Sequence, residues 1–158
     1  MTLSRSSRLV LTGVVLAGAG SVLVAAPAAA HDHSLRLTTV AAHNTDLDLG
    51  EPGPSAGDIQ VFLDDVQRNG RTVGSSAGSC TVTLFTETRL VGACTATLVL
   101  PDGTITAQGV FDEDPTVGPT SFTWAVTGGT GDYSGAGGEA TGTFRPGTDV
   151  VDVEIDLR

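Results

Sequence analysis

The chain has 158 residues, with 18 acidic against 8 basic side chains and a formal net charge of −10. This length fits a single domain. The acidic balance argues against nucleic acid or an anionic membrane surface as partner, because both are bound through clustered Lys and Arg. With 21 glycines, 40% hydrophobic and 16% charged residues, the composition favours a β-rich domain over disorder or a coiled coil.

The first thirty residues have the pattern of a secretory leader. Arg5 and Arg8 precede an uncharged run, Leu9–Ala30, that ends in three alanines, which is the small-residue pattern of a cleavage site. We therefore predict a signal peptide over residues 1–30 and a secreted, extracellular protein with no membrane contact after cleavage. An uncleaved membrane anchor is the alternative. Residues 31–56 then hold a first strand and a loop, and residues 57–158 hold the rest of the domain.

The remaining chain has turn residues at the spacing that is typical of a β meander. Glycine and proline recur about every ten residues, as they do in strands joined by short turns. The alternation is clearest where Val151, Val153 and Ile155 alternate with acidic residues, which is typical of a strand with one solvated face. The sequence predicts eight strands, near Ser34–Ala41, Asp58–Val66, Gly78–Phe85, Ala93–Leu100, Thr104–Phe111, Ser121–Thr127, Gly138–Arg145 and Val151–Leu157.

Eight consecutive strands predict an all-β fold, an eight-stranded antiparallel β-barrel. Closure removes the exposed edges of a sheet, and a barrel of this size is either packed with side chains or holds one small ligand. A β-sandwich is the runner-up, because strand periodicity does not separate the two folds.

The two cysteines occupy matched positions in one predicted hairpin. Cys80 and Cys94 are equidistant from Glu87, on a face that Val82, Leu84, Ala96 and Leu98 are expected to share. A cross-strand disulfide would stabilise the fold by roughly 3 kcal/mol. The alternative is a free Cys80 that lines a cavity, which makes Cys80 a weak candidate for a catalytic group.

Candidate ligand-binding residues are few. We expect Phe62, Gln108, Trp124 and Tyr133 to contact a ligand if their strand faces point inwards, with core packing as the alternative for the rings. Gly128, Gly129 and Gly131 are expected to form a turn, because no P-loop lysine or helix follows them. The carboxylates of the clusters 46–51, 64–65 and 112–114 are expected to be solvated loop charges and not a Ca²⁺ site.

The positions of the histidines argue against histidine-dependent chemistry in the later strands. All three histidines, His31, His33 and His43, precede the later strands, which excludes a hydrolase triad built there. A chain beginning at His31 would offer its amine, two amides and His33 to Cu²⁺ or Ni²⁺, although a polar tail is the simpler interpretation. We therefore expect no metal and no cofactor in the barrel.

Three blocks of residues resemble a known family. Residues 57–62 (GDIQVF), 73–80 (VGSSAGSC) and 103–109 (GTITAQG) look like the allene oxide cyclase barrel, and residues 125–133 (AVTGGTGDY) resemble a signature shared with plant dirigent proteins. The resemblance covers about residues 57–157. It implies an eight-stranded antiparallel barrel, often trimeric, with a mostly apolar cavity and no cofactor.

The same resemblance implies a function. Its members bind a small hydrophobic or phenolic molecule and steer its cyclisation or coupling, so this chain is expected to do the same, as an isomerase-like protein if it is an enzyme. The family Cys matches Cys80. The cyclase acid falls near residues 40–42, where no carboxylate stands, and the dirigent arginines fall at Ser134 and Gly137. A non-catalytic extracellular structural or interaction module is therefore the alternative.

Overall fold

A computed structural model describes residues 33–158. The predicted leader and His31 lie outside the described residues, and His33 is described only as the first backbone position of a strand. Among the described residues, no helix is long and apolar enough to cross a membrane.

The described chain forms one closed antiparallel barrel in which each strand pairs with the next and the last pairs with the first. This confirms the predicted barrel over the sandwich. A short 3₁₀ turn, Gly131–Tyr133, lies between the sixth and seventh strands. The strands are β1 (His33–Leu47), β2 (Ile59–Arg68), β3 (Arg71–Phe85), β4 (Leu90–Leu100), β5 (Gly103–Glu113), β6 (Ser121–Gly129), β7 (Gly138–Phe144) and β8 (Val150–Leu157).

The two strands that most exceed their predicted length are β1 and β3, each of 15 residues. β1 continues beyond Ala41 through a bulge, and its last five residues pair with β2. This extension is exposed and polar, so it lacks the apolar alternation that marks a half-buried strand. A second bulge between Val82 and Leu84 in β3 leaves Leu84 exposed, which corrects its expected place on the inner face.

The hydrophobic core fills only one end of the barrel. Val66, Ile105 and Ile155 are fully buried there, beside the turns that join β2 to β3 and β4 to β5. The rest of this cluster comprises Leu37, Leu98, Leu100, Ala107, Val126, Ala140, Val153 and Leu157. We call this end the floor. The four loops 48–58, 86–89, 114–120 and 145–149 lie at the opposite end, which we call the mouth.

Candidate functional site

A cavity of about 940 Å³ lies above the floor and extends to the mouth. Its volume is at the upper end of the range for small-molecule sites. Its walls are the inward residues of the strands, and its rim includes residues of the loops 48–58 and 114–120. The barrel interior is therefore hollow in its upper part and packed only at its floor.

The aromatic side chains are concentrated on this cavity. All five phenylalanines and the single tryptophan line it, and Tyr133 is the one aromatic residue that does not. The ring centroids of Phe122 and Trp124 are 4.4 Å apart, and those of Phe122 and Phe144 are 6.0 Å apart. The cavity thus has a continuous aromatic wall on β6 and β7.

Glycines explain why these rings do not fill the barrel. Four inward-facing glycines have an aromatic ring from a neighbouring strand lying so close that a Cβ atom would overlap it. Each ring therefore lies flat against the wall, in space that a side chain would otherwise occupy, and leaves the centre open. The pairs are Phe62 over Gly78, Phe111 over Gly92, Trp124 over Gly109 and Phe122 over Gly142.

Asp64 is the carboxyl group that projects deepest into the cavity. It faces inwards between Phe62 and Val66 on β2, one alternation above the floor. Its neighbours across the sheet are Ala41 and Ser76. Burial raises the pKa of the Asp64 carboxyl, and no hydrogen bond or charge among the described residues offsets this shift.

The position of Asp64 corrects the expectation that it is a solvated loop charge. Asp64 shares the period-two face of Phe62 and Val66, so the alternation within the predicted strand 58–66 was the signal that could have placed it inside. It also lies beside Ala41, at the level where the family acid was expected and found missing. The carboxyl group at this level comes from β2 instead of β1.

The charge of the cavity lining has a single sign. Its eight carboxyl side chains are not matched by any Arg or described His in the lining, and the chain has no Lys. Burial also raises the pKa of the Glu113 carboxyl at the rim. The eight are Asp46, Asp48, Asp58, Asp64, Asp112, Glu113, Asp114 and Asp149.

Several rim carboxylates already have partners within the protein. Asp112 accepts hydrogen bonds from Arg89, at 2.8 Å to its Nε and 2.6 Å to its Nη2, which lowers the pKa of that carboxyl. Asp58 accepts the backbone N–H groups of Leu49 at 2.9 Å and Ser55 at 2.7 Å, and these bonds lower its pKa and hold the loop 48–58.

Cys80 and Cys94 form the predicted disulfide, which is thereby confirmed. They are directly paired residues of β3 and β4 and both line the cavity. The sulfur of Cys80 is bonded to that of Cys94, so it is not the free thiol that the weak catalytic assignment required.

Of the other residues that the sequence predicted to contact a ligand, two line the cavity and two do not. Phe62 and Trp124 line the cavity. Gln108 lies between the inward residues Ala107 and Gly109, so its side chain is exposed outside the barrel. Tyr133 lies in the 3₁₀ turn below the floor and packs against the core. Neither of these last two lines the cavity.

The glycine turn lies at the floor end and away from the cavity. Gly128 and Gly129 end β6, and Gly131 adopts a φ of 62°, which favours glycine. A Cβ atom on Gly131 would overlap the backbone carbonyl of Asp102. The turn thus joins two strands by close backbone approach.

Within residues 33–158 no group of three or more His, Cys, Asp and Glu is arranged to hold a metal ion. His31 lies outside the described residues and the side chain of His33 is not described, so the N-terminal Cu²⁺ or Ni²⁺ site stays a prediction.

The fold and the site define a hollow eight-stranded antiparallel barrel with a packed floor and an aromatic-walled upper cavity. The model of the allene oxide cyclase barrel like domain matches residues 37–157, and the chain belongs to this family. This confirms the resemblance seen in the sequence.

Solved structures share the fold. A pyocyanin demethylase is 30% identical, covers 80% of this chain and 100% of its own, and has a TM-score of 0.70. The Diels-Alderase AbmU from Streptomyces koyangensis is 19% identical, with 79% and 63% covered and a TM-score of 0.65. A pterocarpan synthase dirigent protein is also 19% identical, with 79% and 92% covered and a TM-score of 0.55. No curated protein sequence matches.

Proposed function

We propose that this protein binds a small hydrophobic or phenolic molecule in the barrel cavity and steers its cyclisation or coupling. The observation that carries the proposal is the cavity of about 940 Å³ walled by every phenylalanine and the tryptophan of the chain. A packed interior would have favoured the alternative of a non-catalytic interaction module. The cavity therefore supports the ligand-binding function.

The walls suggest how such a barrel acts on its ligand. A flexible molecule held against flat rings loses conformers, and a bound geometry close to that of the reaction lowers the barrier. The rings also exclude water from the reacting atoms. Asp64 is the group placed to exchange a proton with the ligand, because it faces the cavity from just above the floor.

Two of the relatives support ring formation or coupling as the reaction class, whereas the third is named for a demethylation. A Diels-Alderase and a pterocarpan synthase dirigent protein share this fold, and a pyocyanin demethylase shares both the fold and 30% of its sequence.

We further propose that the protein is exported. The Cys80–Cys94 disulfide supports this, since disulfides persist mainly in oxidising compartments.

Binding of the neutral dye Nile red tests the cavity. The chain from His31 onward is expected to raise and blue-shift the dye fluorescence. Ala41→Phe places a ring in the cavity, whereas Ala93→Phe places the same ring on the exposed outer face of β4. We expect at least a tenfold weaker dye affinity for the first variant and no change for the second.

Circular dichroism of both variants establishes that they are folded. The proposal is overturned if the unsubstituted protein binds no dye, or if folded Ala41→Phe binds it as well as Ala93→Phe does.

A further inference from the structure

We propose that the natural ligand of this cavity is an aromatic molecule with a cationic group, such as an ammonium, which pairs with Asp64, and that aromatic carboxylates are rejected. The inference rests on the proposed function, because it concerns the occupant of the same cavity.

The first argument is the sign of the charge that a ligand meets. Eight carboxyl groups line the cavity, whereas no arginine does. Arg89 pairs with Asp112 behind the rim, so it neutralises one carboxylate and is occupied by it. A ligand carboxylate would meet only like charges in this partly desolvated space, where charges interact more strongly than in water.

The second argument is that Asp64 is free to pair with a ligand and lies deep in the cavity, whereas Glu113 and Asp149, whose carboxyl groups also accept no hydrogen bond among the described residues, lie at the mouth. Asp58 uses its oxygens to hold a loop, and Asp46 accepts a hydrogen bond from Gln60 at 3.1 Å. Asp64 has no such partner among the described residues, faces the cavity, and is half-buried. A cationic group beside it would replace the water that its carboxylate loses on burial.

The third argument is the aromatic wall. Phe62 lies on the same strand face as Asp64, and the rings of Phe122 and Trp124 contact each other at a tilt of 30° in the same cavity. Ring faces attract cations through their quadrupole and also pack against a flat aromatic ligand. A molecule that combines a ring with a positive group therefore matches both parts of the lining.

Three 1-substituted naphthalenes of similar size and different charge test the inference by displacing Nile red at pH 7.5. They are 1-naphthylmethylammonium, 1-naphthalenemethanol and 1-naphthoate. We expect the ammonium compound to bind about tenfold tighter than the alcohol, and the carboxylate to bind more weakly than both.

Two adjacent aspartates supply the matched variants. Asp64→Asn removes the inward carboxylate with little change in volume, and Asp65→Asn removes its exposed neighbour. The preference for the ammonium compound should disappear in the first variant and persist in the second.

The outcomes separate this inference from the proposed function. If Nile red does not bind, the proposed function fails and the inference fails with it. If the dye binds, the inference alone is overturned by any one of four results: equal affinity for the ammonium compound and the alcohol, no displacement by the ammonium compound, binding of 1-naphthoate as tight as that of the alcohol, or a preference that survives in Asp64→Asn.

Discussion

Asp64 and Asp65 are adjacent in sequence but lie on opposite faces of β2. Asp64 faces the cavity and is half-buried, whereas Asp65 is exposed outside the barrel. Burial raises the pKa of the Asp64 carboxyl. The two side chains are chemically identical, so the difference in their burial comes from strand alternation.

Because the folded protein raises the pKa of Asp64, ionisation of this group opposes folding. Its contribution to stability is fully present below the unfolded value near 3.8 and is lost as pH rises through the folded pKa. Asp64→Asn should therefore increase the free energy of unfolding at pH 7, with no increase at pH 3. Urea unfolding at both pH values measures this.

The control for that experiment is Asp65→Asn, which should change the unfolding free energy by less than about 0.5 kcal/mol at either pH. A loss of stability at pH 7 in Asp64→Asn would show that the carboxylate has a stabilising partner, contrary to this account.

At the scale of elements, the β3–β4 hairpin combines a covalent link with part of the cavity wall. Cys80 and Cys94 are register partners separated by 14 residues. The bulge after Val82 changes which side chains face inwards beyond this point. The disulfide therefore fixes the hairpin close to where its alternation is interrupted.

Replacing both cysteines by alanine should lower the free energy of unfolding by roughly 3 kcal/mol, since the closed loop restricts the unfolded chain. Urea unfolding of the double variant and of the oxidised unsubstituted protein measures this loss. As a control, the unsubstituted protein in reducing agent should unfold at a urea concentration similar to that of the double variant. A variant as stable as the oxidised protein would mean that the disulfide contributes little.

At the scale of the whole molecule, one barrel holds two different interiors. The floor is packed with aliphatic side chains, and the upper half is lined by rings that lie over glycines. An eight-stranded barrel can be filled or can hold one ligand. Here the distribution of glycine and aromatic residues along the strands determines which part of the barrel is filled and which part stays open.

Gly109→Ala tests this account of the hollow interior. Its Cβ atom would overlap the indole of Trp124, so the ring must move off the β5 wall. We expect a loss of about 1–3 kcal/mol in stability from overpacking, together with at least tenfold weaker Nile red binding. Because Trp124 is the only tryptophan, its fluorescence spectrum reports the movement directly.

Gly128→Ala is the matched control, because a Cβ atom there would meet only Thr106 Oγ1 at an ordinary 3.5 Å. It should leave both the tryptophan spectrum and the dye affinity unchanged. An unshifted spectrum in Gly109→Ala would contradict the proposed packing of the ring.

Local patterns in the sequence predicted the eight strands, the family and the position of the disulfide, whereas strand periodicity alone did not separate a closed barrel from a sandwich. Alternation and turn residues act over a few positions, and the spacing of Cys80 and Cys94 about Glu87 follows from a single hairpin. The same patterns identified Phe62 and Trp124 as cavity candidates. Alternation could also have predicted that Asp64 faces inwards, although its acidic neighbour Asp65 suggested a solvated loop.

The tertiary structure alone decided which faces point inwards and whether the interior is hollow. Bulges in β1 and β3 shift the alternation by one residue, and Gln108 and Tyr133 lie away from the cavity although their residue types suit one. Ring-over-glycine pairing joins residues of different strands. These features depend on cross-strand register and closure, which no local window of the sequence contains.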